Sequence, residues 1–149
     1  MPRHAALIPL SHDHHHTLVL ALRLKKGSAT THKDLWPSDL TEQLSRTIEY
    51  VKEEILPHFA SEEKLIFPEA LAILEARPLI QELLAQHAEL RAQFAQLEGL
   101  HDNDEILTHF RALGSLLETH IRKEERELFP ILEEKLSQEA FQRIQQAMG

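Results

Sequence analysis

Apolar residues recur along this chain at steps of three and four rather than in alternation, and the pattern predicts helices throughout. The first, about residues 12–26, is expected to start at a Ser11 cap and end at Gly27, with Lys25 and Lys26 in its last turn. Leu40, Leu44, Ile48, Val51 and Ile55 carry a second helix from Asp39 toward Phe67, with Pro57 inside it. A proline there removes a backbone hydrogen bond and predicts a kink or bulge just before His58. After Pro68 a short helical piece, EALAILEA, leads to a third helix from Pro78 to Gly99. A fourth runs from about Asp104 to Leu136, bent at Pro130, and Ser137 is placed to cap a short final helix. The polar stretch GSATTHKDLWP between the first two helices reads as a loop. The fold class this pattern predicts is all-α: an up-down-up-down four-helix bundle with a short additional C-terminal helix, in a single domain over 1–149.

The polar positions repeat as well. Each half of the chain pairs a helix bearing a lone histidine with a helix bearing H-x-x-x-E-E-x-x-x-F-P, read as HFASEEKLIFP at 58–68 and HIRKEERELFP at 120–130. Residues four apart on a helix share a face about 6 Å apart along the axis, so His58 with Glu62 and His120 with Glu124 each form half a clamp. The lone histidines are read as His15 and His87, because Leu18 and Leu22 follow the first at the same steps as Leu90 and Phe94 follow the second. His12, His14 and His16 stand beside His15 as alternatives, and Glu63 and Glu125 stand beside the first glutamates. His32 reads as a loop histidine, and His4, His101 and His109 as surface residues. Phe59, Ile66, Phe67, Leu128 and Phe129 read as core, Trp36 as packing the loop on the bundle end, and the pairs Glu53-Glu54 and Glu133-Glu134 as solvated faces.

A single His-x-x-x-Glu is usually a solvated ion pair, but two matched copies with lone histidines on the partner helices favour a metal. Imidazole with carboxylate suits iron, manganese or zinc rather than calcium. The duplication therefore predicts a two-metal site with pseudo-twofold symmetry, in which Glu62 and Glu124 bridge the ions and neutralise their charge.

Composition narrows the chemistry. Eleven histidines are an excess for 149 residues, and 42% hydrophobic content is enough for one buried core. A net charge of -8 without a Lys/Arg cluster argues against nucleic acid as a partner. With no cysteine, disulfides, thiolate sites and iron-sulfur clusters are excluded, so nitrogen and oxygen must hold any metal. No apolar run approaches the roughly 20 residues of a membrane span, and no signal pattern opens the chain. A soluble, cytoplasmic protein with no membrane partner is expected.

Together with DHHHTL near the N-terminus and QHAEL in the third helix, the doubled motif resembles the hemerythrin-like, or HHE cation-binding, family over about residues 8–136. The resemblance implies a four-helix bundle around a non-haem di-iron centre, two iron ions bridged by oxo or hydroxo, that binds or senses dioxygen or another small oxidant. Zinc or manganese would suit the same donors. The implied metal ligands are His15, His58, Glu62, His87, His120 and Glu124. Two positions depart from the oxygen-carrying members. Arg91 stands where those have a second third-helix histidine, and their fourth-helix acid falls five residues after its histidine, which would select Glu125. The set is closer to the family's iron sensors and iron-sulfur repair proteins, some of which take a further histidine from the segment where His32 sits. Those usually carry a cysteine-bearing N-terminal segment, and this chain has no cysteine. The expected role is metal and oxygen binding rather than catalysis. Iron handling or repair, and di-iron reduction of peroxide or nitric oxide, are the alternatives, and the expected state is a monomer or a homodimer.

Overall fold

The computed structural model describes residues 3–26 and 36–148, and every regular element among them is helical. Helix α1 spans Ile8–Lys26. A continuous helical column follows, made of α2 (Leu40–Tyr50), α3 (Leu56–Ser61) and α4 (Phe67–Ala70), joined by π-helical turns at Val51–Ile55 and Glu62–Ile66. Helix α5 spans Arg77–Leu97. The last column is α6 (Asn103–Lys123), a π-helical turn at Glu124–Leu128, and α7 (Phe129–Lys135), before the short α8 (Gln138–Met148). Gly27 and His32 lie outside the described residues. No helix among those described is long and apolar enough to cross a membrane.

Helix ends largely follow the sequence signals. Asp39 and Asp102 accept the backbone N–H of Glu42 and Glu105 at 3.1 and 3.2 Å, and Ser137 accepts that of Ala140 at 3.1 Å. The start of α1 differs. It begins at Ile8 because Pro9 falls in the first turn, where its missing N–H is harmless, and because Leu7 and Leu10 are drawn into the core. Ser11 donates to Glu125 at 2.8 Å instead of capping. EALAILEA is not a helix of its own: α4 ends at Ala70, and a 3-10 turn at Leu74–Ala76 leads into α5.

The three internal prolines have a common solution. The residue before each donates to the carbonyl five positions back: Leu56 to Val51, Phe67 to Glu62 and Phe129 to Glu124. A proline in an unbroken α-helix would clash with the carbonyl four positions back and leave it unpaired. Widening the preceding turn by one residue removes that clash without ending the helix. It also rotates the downstream part of the helix by about 100°, so that Glu62, Ile66 and Phe67, and likewise Glu124, Leu128 and Phe129, are all buried.

The core is split in two. One apolar cluster holds Leu7, Leu10, Phe67, Ile80, Leu83, Phe129 and Phe141, and the other holds Leu20, Leu24, Ile55, Phe59, Leu90, Phe110 and Leu117. Between them each long column crosses a polar layer, at His14, at His58 and Glu62, at His87, and at His120 and Glu124. Helix α1 packs along α6, and at Gly114 the approach is tight: an added Cβ would lie 2.6 Å from the Ala21 carbonyl oxygen. Gly114→Ala is expected to destabilise the protein by about 1–3 kcal/mol despite alanine's better helix propensity, because the obstacle is backbone. Chemical denaturation measures this, and an unchanged or raised midpoint would show that α1 and α6 can separate at little cost.

Candidate metal centre

In the polar layer, four imidazoles surround two glutamates. His14 is 3% exposed, His58 9%, His87 0%, His120 1%, and Glu62 and Glu124 both 0%. Their donor atoms fall into two overlapping groups, His14, His58, Glu62 and Glu124 on one side and Glu62, His87, His120 and Glu124 on the other, with all ligand atoms of a group within 4.8 Å of one another. Both groups share both glutamates.

The imidazoles face inward through Nε2. His14 and His58 bring these atoms to 3.0 Å from each other, and His87 and His120 to 3.1 Å. Glu62 Oε2 lies 3.3 Å from His58 Nε2 and 3.5 Å from His14 Nε2, while its Oε1 lies 3.1 Å from His87 Nε2. Glu124 reaches His14 at 3.1 Å and His120 at 2.7 Å.

The outward nitrogens are all engaged. His14 Nδ1 donates to Glu125 at 2.6 Å, His58 Nδ1 to Asp13 at 3.0 Å, His87 Nδ1 to Glu63 at 2.7 Å and His120 Nδ1 to Gln86 at 2.7 Å. Because those partners are acceptors, Nδ1 carries the proton in each ring and Nε2 is the atom free to ligate. Glu63 is held in turn by Arg91 at 2.7 and 3.0 Å, and Glu125 by Arg3 at 3.2 Å. Aromatic rings fix the imidazole planes: Phe59 stacks on His87 at 3.9 Å, Phe67 lies 5.5 Å from His87, and Phe129 lies 5.5 Å from His14.

This donor set fits a metal. Glu62 Oε2 and both carboxylate oxygens of Glu124 are buried without a hydrogen-bond partner, although imidazole nitrogens crowd them. Such oxygens are costly to bury unless a cation takes them. In the metal-free protein, protons do part of that work. Burial would lower the pKa of His14 and His58, but the surrounding carboxylates outweigh it, holding His14 well above 6.5 and pushing His58 up to about 9. Burial would likewise raise Glu62, yet His58 and His14 keep it well below the usual carboxylate range.

Five of the six expected ligand positions, His58, Glu62, His87, His120 and Glu124, meet in this layer. His15 does not: it is exposed on α1, and His14 stands in the layer instead. The buried stripe of α1 is Leu10, His14, Thr17, Leu20, Ala21 and Leu24, with Ala21 standing against Gly114 of α6. Leu22, one of the two leucines that pointed to His15, is 37% exposed. A better signal lay in the dipeptides Asp13-His14 and Gln86-His87, each an acceptor followed by the inward histidine. Glu63 and Glu125 orient histidines at the rim of the layer, and Arg91 clamps Glu63. His4 and Glu133 are also less exterior than expected: His4 stacks on Phe141 at 3.7 Å, and Glu133 binds Arg3 and the His4 backbone, both at 2.7 Å.

Comparison with protein-family models matches residues 6–132 to the hemerythrin HHE cation binding domain. The chain belongs to this family. No curated protein and no solved structure was found to match it significantly. As an HHE domain it is a cation-binding protein, and the buried His/Glu layer is the part of this HHE domain suited to hold the cation.

The raised histidines give this HHE domain a pH signature. A folded-state pKa of about 9 against 6.5 contributes stability that is complete below 6.5 and disappears as pH rises through 9. The metal-free protein should therefore lose thermal stability across that window, while metal uptake releases protons and tightens. Melting curves with and without chelator check this. A metal-free midpoint that stays flat from 6.5 to 9 would refute the protonated layer.

Proposed function

We propose that this HHE domain is a non-haem di-iron protein that binds or senses dioxygen or a related small oxidant. The observation that carries the reading is the sharing of both Glu62 and Glu124 by two histidine pairs, with carboxylate oxygens that no hydrogen bond satisfies. His14 and His58 would hold one ion, His87 and His120 the other, and the two glutamates would bridge them and offset their charge. Two irons so held supply the redox chemistry toward the oxidant. The chain's own part is to aim four Nε2 atoms, to balance charge with the outer carboxylates, and to limit water through Phe59, Phe67 and Phe129. The order in which successive columns meet the two apolar clusters, reversing from one column to the next, supports an up-down-up-down bundle. We also propose a cytoplasmic protein, acting as a monomer or homodimer.

One observation favours a second reading. Arg91 occupies the third-helix position where oxygen carriers of the family have a further histidine, and it is committed to Glu63 at 2.7 Å. A centre with one lone histidine per half resembles the family's iron-handling and repair factors more than its oxygen carriers. Transfer of iron to an acceptor lacking it would favour that role.

The deciding measurement is metal content with a visible absorption spectrum, on anaerobically iron-loaded protein before and after air. About two irons per chain and oxygen-dependent near-ultraviolet bands are expected. One metal or none, or zinc without spectral response, would overturn the di-iron reading. Glu62→Ala should lose most of the iron while remaining helical. His14→Ala should also lose metal where His15→Ala keeps it, and full occupancy in His14→Ala would remove that residue from the ligand set.

A further inference from the structure

The two halves of the centre differ by one charge. Asp13-His14 on α1 and Gln86-His87 on α5 hold equivalent places in the repeat, and in both the residue before the lone histidine reaches the other histidine of its half. Asp13 Oδ2 lies 3.0 Å from His58 Nδ1, and Gln86 Oε1 lies 2.7 Å from His120 Nδ1. A carboxylate that accepts an imidazole N–H makes the ring a stronger donor at its other nitrogen, and a neutral amide does so less.

The halves also differ in cover. His87 is sealed at 0% exposure between Phe59 and Phe67, and His120 is at 1% with Phe59 5.6 Å away. On the other side His14 is 3% and His58 9% exposed, and the Asp13 side chain that holds His58 is 52% exposed. A cavity of about 230 Å3 opens at Asp13, Thr17, Tyr50 and Glu54, and another of about 190 Å3 opens at His14, between Ser11, Leu18, Ile121 and Glu125. The histidines of this half are the less completely covered of the four.

Resting on the two-metal reading, we infer that the centre is asymmetric: the His14–His58 half is the exchangeable one, and Asp13 is the positioning residue whose carboxylate retains metal there. The added charge lies where solvent competes for the metal. The His87–His120 half keeps its ion by exclusion of water and manages with a neutral partner at Gln86.

The test follows iron release. The full chain is loaded anaerobically with two equivalents of ferrous iron, and transfer to excess chelator is timed by absorbance. Two phases of equal amplitude are expected from the unaltered protein. Asp13→Asn, at a half-exposed site that should leave folding intact by circular dichroism, speeds the fast phase about tenfold and leaves the slow phase unchanged. Gln86→Glu, which supplies the missing carboxylate to the other half, slows the slow phase and leaves the fast one alone. Release of both ions in a single phase, equal acceleration of both phases by Asp13→Asn, or a changed fast phase in Gln86→Glu would overturn the asymmetry while the two-metal reading stands. Uptake of fewer than two ions by the unaltered protein would overturn the two-metal reading and this inference with it.

Discussion

The structure is organised around two carboxylates, Glu62 and Glu124, that lie at 0% exposure in the middle of a helical core. An isolated carboxylate in such surroundings costs tens of kcal/mol by idealised solvation arguments, so everything near it must supply positive charge or ligating capacity. Around the pair stand four imidazoles, around those the acceptors Asp13, Glu63, Gln86 and Glu125, and beyond two of these the guanidinium groups of Arg3 and Arg91. Hydrogen-bond donors and acceptors alternate outward in shells, and the two apolar clusters close the layer from above and below. Each shell makes the burial of the one inside it tolerable.

The duplicated motif becomes intelligible position by position. Its histidine and first glutamate point into the layer. Its second glutamate crosses to the lone histidine of the opposite half: Glu63 to His87 and Glu125 to His14. Its phenylalanine packs against that same histidine, Phe67 on His87 and Phe129 on His14. The halves are thus interlocked, and neither could orient its lone histidine alone. The closing proline accompanies the π-helical turn that begins at the buried glutamate. That turn keeps both the glutamate and the phenylalanine five positions later on the inner side, a combination that an unbroken α-helix would spread around its surface.

Position 91 illustrates how a residue that cannot ligate still shapes the site. Arg91 grips Glu63 with both terminal nitrogens and lies 5.6 Å over the Phe59 ring, so it fixes two of the groups that hold His87. Arg3 stands in a parallel relation to Glu125 and to the Phe129 ring, at 5.3 Å, although it comes from the segment before α1. Similar charge relays have been assembled from different parts of the chain, because the requirement is for a cation behind the orienting carboxylate and not for any particular element to provide it.

The helical class, the approximate extent of the long helices, the doubled motif and five of the six residues facing the centre were all legible in the amino-acid order. These rest on local rules: apolar spacing at the helical period, residues four apart sharing a face, and caps and prolines that act within a turn or two. That His14 and not His15 faces inward came from helix packing: α1 buries Leu10 in one apolar cluster, Leu20 and Leu24 in the other and Ala21 against Gly114 of α6, and His14 lies on that same side. Packing also selected Thr17 and Ala21, and not Leu18 and Leu22, for the buried stripe. The same holds for the roles of Asp13, Gln86, Glu63, Glu125 and the two arginines, whose partners lie on other helices far along the chain. A run of four histidines and an aspartate along one helix offers every face a donor. Which face becomes the inside is a property of the neighbour it packs against, and that information is not local to the run.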